Sequence, residues 1–210
     1  MTETFSTRLG RLLDREGLEA AAAACRAEVT TRELDGVLAG AIPAPALLRG
    51  LAPTLGWHAA DMFAVAGDAL PEDLAPGEDA VSWDVHYILG QAAVLPERHR
   101  DTLRESVRTA PGRRPPPRVP YRHEHYEDGP GAILMRLLRN RGQSWSVIPK
   151  TIGAVTGRIW SPSTYGLIAR GLKEVTPDVL GDFSAVLDVP PTGLSAVIGM
   201  EVPRTPHTGR

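Results

Sequence analysis

The stretch Ser161-Pro162-Ser163-Thr164-Tyr165-Gly166-Leu167-Ile168-Ala169-Arg170-Gly171 gathers residue types with a readable job at each end. Ser161 suits a helix N-cap, where a hydroxyl accepts from an otherwise orphaned first-turn N–H. Pro162 suits the first helical position, which needs no N–H and has its φ already set. Gly171 suits the position just past the end, where φ is positive. The spacing predicts a short helix of about three turns with small hydroxyl side chains at its front. Basic residues surround it at Arg158, Arg170 and Lys173. A second cluster, His123-Glu124-His125, invites a metal reading, because alternate histidines on an extended segment share a face. No third or fourth ligand follows at a recognisable spacing, so the expectation is no metal and no cofactor. Tyr121 to Tyr126 then packs the linker onto a domain. No nucleophile elbow, glycine-rich phosphate loop or HExxH motif is present, and no catalytic residue is expected.

The chain that positions these residues has 210 residues, 42 % of them apolar and 23 % charged, an ordinary composition for a globular protein. Its net charge of −2 argues against a uniformly basic nucleic-acid binder. Charge is uneven, however. Residues 131–199 carry seven basic and four acidic groups, whereas residues 1–67 and 68–130 are both net acidic. The single Cys25 excludes an internal disulfide framework. The absence of a long apolar run and of a signal-peptide core at the start leads to the expectation of a cytoplasmic protein with no membrane partner.

The most informative feature is an internal repeat. Leu9-Gly10-Arg11-Leu12-Leu13-Asp14-Arg15-Glu16-Gly17 aligns with Leu134-Met135-Arg136-Leu137-Leu138-Arg139-Asn140-Arg141-Gly142 at an offset of 125. Pro45, Leu48, Leu55, Ala64, Val65 and Gly67 align with Pro177, Leu180, Leu187, Ala196, Val197 and Gly199 at an offset of 132. Each copy reads as about five short helices, with no β-type alternation of useful length. In the first copy, Phe5, Leu9, Leu12 and Leu13 form a stripe ending at Gly17, and an Ala-rich helix runs from Leu18 to Ala27. Thr30 caps Thr31 to Ala39, Pro45 opens a fourth helix, and Asp61 to Ala66 is a fifth. In the second copy, a stripe at Ile133, Leu134, Leu137 and Leu138 ends at Gly142. Ser144 caps a helix containing Pro149 and Ile152, Ser161 to Gly171 is the third, Thr176-Pro177 opens the fourth, and Thr192 to Ile198 is the fifth. Between the copies, residues 81–108 read as helices that extend the first copy or mediate dimerisation. Residues 110–120 form a Pro-rich, extended linker. The expected division is therefore 1–70, a connector at 71–129, 130–200, and a flexible tail at 201–210, all α-helical.

This order of elements resembles the phage-repressor-like helix-turn-helix family, the Cro/repressor or XRE group. Its third helix commonly reads Ser-x-Ser-Thr-Ile-x-x-Ile-x-x-Gly, followed by a basic residue and a Pro. Ser161, Ser163, Thr164, Ile168, Gly171, Lys173 and Pro177 match in place. The likeness covers about 70 residues of the second copy and, more weakly, residues 4–67. Together the copies are similar to tandem, degenerate helix-turn-helix regulators of high-GC bacteria. The resemblance implies two five-helix domains and a third helix lying in the DNA major groove.

It also implies where contact would fall. Positions that often carry base-reading amides in the family are occupied by Pro162, Ser163 and Leu167, and Pro and Leu cannot hydrogen-bond a base edge. The connection at Gly157-Arg158-Ile159-Trp160-Ser161 is about two residues longer than the usual turn. The candidate DNA-contacting residues are Arg158, Ser161, Ser163, Thr164, Arg170 and Lys173, suited to phosphate more than to base reading. Arg113, Arg114 and Arg118 of the linker are candidates for following a DNA backbone. In the first copy, Arg32 sits beside Glu33 and Asp35, which repel phosphate, so dimerisation or partner docking is the expected role there. Trp145 and Trp160 are expected to pack at helix edges. The sequence thus points to a transcriptional regulator that binds duplex DNA and is not an enzyme, with a homodimer or a regulatory protein as further partner. The alternative is an adaptor whose degenerate helix-turn-helix domains bind protein instead of DNA.

Overall fold

The computed structural model describes residues 3–76, 82–110 and 126–200. Among them the chain is all α-helical, with twelve helices and no strand. The expected linker arginines, the His123–His125 pair and the tail 201–210 lie outside the described residues. No helix among the described residues is long and apolar enough to cross a membrane.

The first half is α1 (Phe5–Glu16), α2 (Ala20–Arg26), α3 (Thr31–Leu38), α4 (Pro45–Thr54) and α5 (Ala59–Ala66). Thr4 caps α1 by accepting from the Thr7 N–H, and Gly17 closes it at φ +61°. The stripe inside is Leu9, Leu12 and Leu13, all buried, with Phe5 partly covered. Alanine dominates α2, and Ala23 and Ala24 are its buried residues, so neighbouring helices approach closely. Its start falls at Ala20, two residues after the apolar Leu18. The N-cap of α3 is a full capping box. Thr30 Oγ1 accepts from the Glu33 N–H, and the Glu33 carboxylate accepts from the Thr30 N–H.

The connector supplies α6 (Ser82–Val94) and α7 (Glu97–Thr109). Instead of extending the first half, α6 packs on α9 of the second. No residue of α7 is buried. Its arginines form i,i+3 ion pairs with its own acids, Arg104 with Asp101 and Arg108 with Glu105, on a solvated surface.

The second half is α8 (Pro130–Asn140), α9 (Ile148–Thr156), α10 (Pro162–Ala169), α11 (Pro177–Leu187) and α12 (Pro191–Ile198). Thr176 caps α11 as expected, accepting from the Val179 N–H. The start of α9 differs from expectation. Ser144 accepts from the N–H groups of Val147 and Ile148 through its carbonyl, in a turn that precedes the helix, and Val147 takes the N-cap position.

The halves are joined reciprocally. The first helix of each lies on the fifth helix of the other, α1 on α12 and α8 on α5. The polar contacts obey the same exchange. Glu3, two residues before α1, holds Arg11, and Arg11 Nε donates to the Ala196 carbonyl at 2.5 Å. Asp128, two residues before α8, holds Arg136 at 2.8 Å, and Arg136 reaches the Ala64 carbonyl at a longer 3.5 Å. Arg11 pairs with Arg136, and Ala196 with Ala64, in the same alignment that revealed the repeat. Buried apolar residues of both halves form one continuous cluster. Asp128 also takes Arg8 at 2.6 Å, whose guanidinium is 2 % exposed and otherwise donates to the Val65 carbonyl.

Two helical glycines lie hard against another element's backbone. A Cβ on Gly50 of α4 would strike the Ala27 carbonyl after α2, and one on Gly131 of α8 would strike the Ile168 carbonyl of α10. Each half thus brings one of its helices against a neighbour's backbone.

Removing the carboxylate of Asp128 strands the buried Arg8, so Asp128→Ala is expected to cost ~3 kcal/mol in urea unfolding at pH 7. Glu3→Ala, at the more exposed end of the exchange, costs ~1 kcal/mol or less. Burial raises the Asp128 pKa, but hydrogen bonds and charge from Arg8 and Arg136 outweigh it and hold the carboxyl below its ordinary value. A depressed native pKa stabilises the fold above the ordinary carboxylate range, and the contribution disappears as pH falls through the native value. The gap between wild type and Asp128→Ala should therefore shrink on acidification. An undiminished gap at pH 2.5 would contradict the assignment.

Candidate functional site

The second half presents α9, a five-residue connection and α10. Gly157 ends α9 at φ +74°, its N–H bonded to the Gly153 carbonyl. The chain then runs through Arg158, Ile159 and Trp160 to Ser161. Trp160 anchors this connection, donating from Nε1 to Asp182 Oδ2 of α11 at 2.9 Å. The Asp182 carboxylate is buried and also faces Arg158 Nε at 3.7 Å. Pro162 occupies the first turn of α10, as its fixed φ favours.

Ser161 stands at the N-cap position but does not cap through its hydroxyl. Its Oγ is 2.8 Å from Ser163 Oγ and 3.1 Å from Thr164 Oγ1, so three hydroxyls bond to one another at the mouth of the helix. Gly171 is left-handed at φ +68°, as the helix end requires. The inner face of α10 is Tyr165, Ile168 and Ala169, all buried, with the Tyr165 ring edge-on to Phe183. Burial, with a smaller contribution from Asp182, pushes the Tyr165 phenol well above its usual range, so it stays neutral. Trp145, half-buried, lies against Gly166 of α10 and near the Tyr126 ring.

The outer face holds the candidate contacts. Ser161, Ser163, Arg170 and Lys173 are exposed and Thr164 is half-buried. Arg158 is exposed too, but its Nη1 is 3.0 Å from Asp178 Oδ1. Its charge is therefore shared with two carboxylates of α11, and it is the least available cation of the set. Lys173 lies with Nζ 5.2 Å from the Trp160 ring centroid, a cation–π distance. Of the candidate contacts, Ser161, Ser163 and Thr164 meet at the start of α10 and Lys173 lies over Trp160 before it, whereas Arg158 is turned to α11 and Arg170 stands at the other end of α10.

Sequence reasoning missed three features here. Ile159 before α10 and Leu172 after it are 88 % and 70 % exposed, leaving apolar surface near both ends of the helix. The acids beside Arg158 come from α11, where Asp178 and Asp182 sit four apart on one helix face, a spacing the sequence displays. The seating of α6 on α9 is the third. Lys150 of α9 lies 4.0 Å from the Trp83 ring, and Thr151 Oγ1 is 3.3 Å from His86 Nδ1. Nothing in the two segments' own patterns pairs them. Among the described residues no group of three His, Cys, Asp or Glu is placed to hold a metal ion.

Asp182 gives the connection its fixed shape. Asp182→Ala leaves the Trp160 N–H without its partner and is expected to cost ~2 kcal/mol and to shift tryptophan emission. An unchanged stability and spectrum would show that the connection is held otherwise.

No family model, curated protein or solved structure matches the chain.

Proposed function

We propose that the second half docks on duplex DNA through α10 and the connection before it, and that the protein is a transcriptional regulator of modest sequence selectivity with two repressor-like helix-turn-helix halves. The observation that carries this is the outer end of α10. An uncapped hydroxyl cluster stands at the helix N-terminus, Lys173 lies over Trp160 just before it and Arg170 stands at the far end of the helix, and neither cation has a carboxylate partner among the described residues. Hydroxyls, first-turn N–H groups and flanking cations are the groups that bind phosphate oxygens. Pro162 and Leu167, both exposed on α10, offer nothing to a base edge. The contact is therefore to backbone, and the mode of action takes place in the cytoplasm on chromosomal DNA, without a cofactor.

A second reading has its own observation. Ile159, Leu167 and Leu172 expose apolar surface where DNA would bring phosphate, and Asp178 partly neutralises Arg158. Such surface suits a protein partner, and the domain would then be an adaptor.

One titration separates the two. With two phosphate contacts, from Arg170 and Lys173, the affinity for a 30-base-pair duplex should fall about 12-fold between 50 and 200 mM salt. Arg170→Ala with Lys173→Ala should lower the slope of log K against log salt by about two. Absence of duplex binding at 50 mM salt overturns the proposal. Co-purification of a protein partner that is lost in Leu167→Ser with Leu172→Ser would then establish the adaptor.

A further inference from the structure

Helix α6 is apolar on two sides and covered on one. Its thirteen residues hold a single charged side chain, Asp84. One side packs on α9, where His86 lies by Thr151 and Gly90 by Ala154. Beside these, Val85 and Leu89 line a crevice of about 280 Å³ together with Trp57 before α5, Arg141 after α8 and Val186 of α11. The other side holds Asp84, Tyr87, Ile88, Gln91 and Val94, all exposed. Their spacing of three and four residues sets them along one face, turned away from the first.

That outer face has the composition of a covered one. A helix apolar all round is the pattern of a buried helix, yet Tyr87 is 66 % exposed and Val94 77 %. Among the described residues, four of the nine large exposed apolar side chains lie on α6. Such concentration marks an association surface.

The charges bordering the face identify its occupant. Asp84 stands in the first turn of α6, and Arg98 in the first turn of α7, just past Leu95 and Pro96. Farther along α7, Arg100, Arg104 and Arg108 pair with acids of their own helix. Among the described residues Asp84 and Arg98 have no such partner; Arg98 Nε reaches only the neighbouring His99 ring, at 3.3 Å. Gln91 lies midway between the two along the chain. With two copies of α6 laid antiparallel about a two-fold axis at Gln91, Asp84 of each comes opposite Arg98 of the other. Ile88 then meets Val94, Tyr87 meets Leu95, and the two Gln91 amides, each donor and acceptor, meet one another. A two-fold interface demands this self-complementarity. Bordering charges of one sign would repel a second copy, whereas one of each sign, equally far from the axis, attracts it.

We infer that α6 is a homodimerisation helix, pairing antiparallel with α6 of a second copy. The pairing is independent of whether α10 meets DNA or protein. A single helix pair is smaller than a standard interface, so the dissociation constant is expected on the order of 10 μM.

Sedimentation of the full chain from about 1 to about 200 μM tests this. The weight-average mass should rise from one chain toward two. Tyr87→Asp with Val94→Asp should keep the chain monomeric throughout, with an unchanged circular dichroism spectrum. The milder Tyr87→Ser with Val94→Ser serves if the aspartates unwind α6. Asp84→Arg sets like charges opposite each other twice and should weaken dimerisation about tenfold, as should Arg98→Asp. Both reversals in one chain should restore the wild-type constant, which neither a parallel pairing nor a contact through another face would do. A chain that stays monomeric at the highest concentration overturns the inference. Dimerisation that survives the substitutions at Tyr87 and Val94, or a double reversal as weak as the single ones, overturns it as well.

Discussion

The fold depends on one exchange made twice. A carboxylate placed two residues before the first helix of each half grips an arginine inside that helix, and the arginine reaches a carbonyl on the fifth helix of the other half. A guanidinium suits this task because its fork satisfies a carboxylate and a carbonyl together. The arrangement has the logic of a two-fold interface between like units, in which patch i meets j and j meets i, here written into one chain. It is not fully symmetric. The second half's version is the more buried, since Asp128 serves both Arg136 and the enclosed Arg8, whereas Glu3 serves Arg11 nearer solvent.

The equivalent helices α3 and α10 differ at their N-termini. The N-terminus of α3 is filled by its own Glu33, whose carboxyl is held below its ordinary pKa by the hydroxyl and N–H of Thr30. A charged carboxylate there completes the helix end and repels any incoming anion. At α10 the same place holds Ser161, Ser163 and Thr164, which bond among themselves and bring no charge. One glutamate thus separates a self-satisfied helix end from one open to an external acceptor. That difference locates the candidate interface in the second half rather than the first.

The elements were legible because their ends carry chemistry that acts locally. Thr30 with Glu33, Pro45, Thr176 with Pro177, and Gly171 each specify a cap or a φ within a few residues, and the helices start or stop there. Ser144 misled because a hydroxyl before an apolar run is a cap only if the chain turns helical at once, and here a turn intervenes. The repeat was visible, and with it the five-helix order. The exchange between halves was not, because Arg11 and Arg136 look like ordinary surface residues until the fifth helices are brought beside them. The crevice was equally hidden, since its walls come from four separate stretches. Exposure of Ile159 and Leu172 escaped for a related reason. Apolar character in a sequence reports what is costly to leave in water, not whether a neighbour arrives to cover it.

The helix that ties these parts together is α8. It packs on α5 across the seam and on α10, α11 and α12 within its own half. Gly131 in its first turn lies against the Ile168 carbonyl of α10, and Arg141, just past its last turn, lines the crevice and holds Asp61 of α5. Burial raises the Asp61 carboxyl's pKa, and Arg141 counters that rise only in part, so this ion pair depends on the position of the α8 end. The helix between is eleven residues, ~16 Å of hydrogen-bonded backbone, too stiff to absorb a displacement at one end within itself. With seven residues of α8 buried and a glycine contact that tolerates no added methyl, a shift of Arg141 must be met either by sliding the whole helix against α10 or by breaking the pair with Asp61. The packing on α10, the seam with α5 and one wall of the crevice are therefore three contacts of one rigid element.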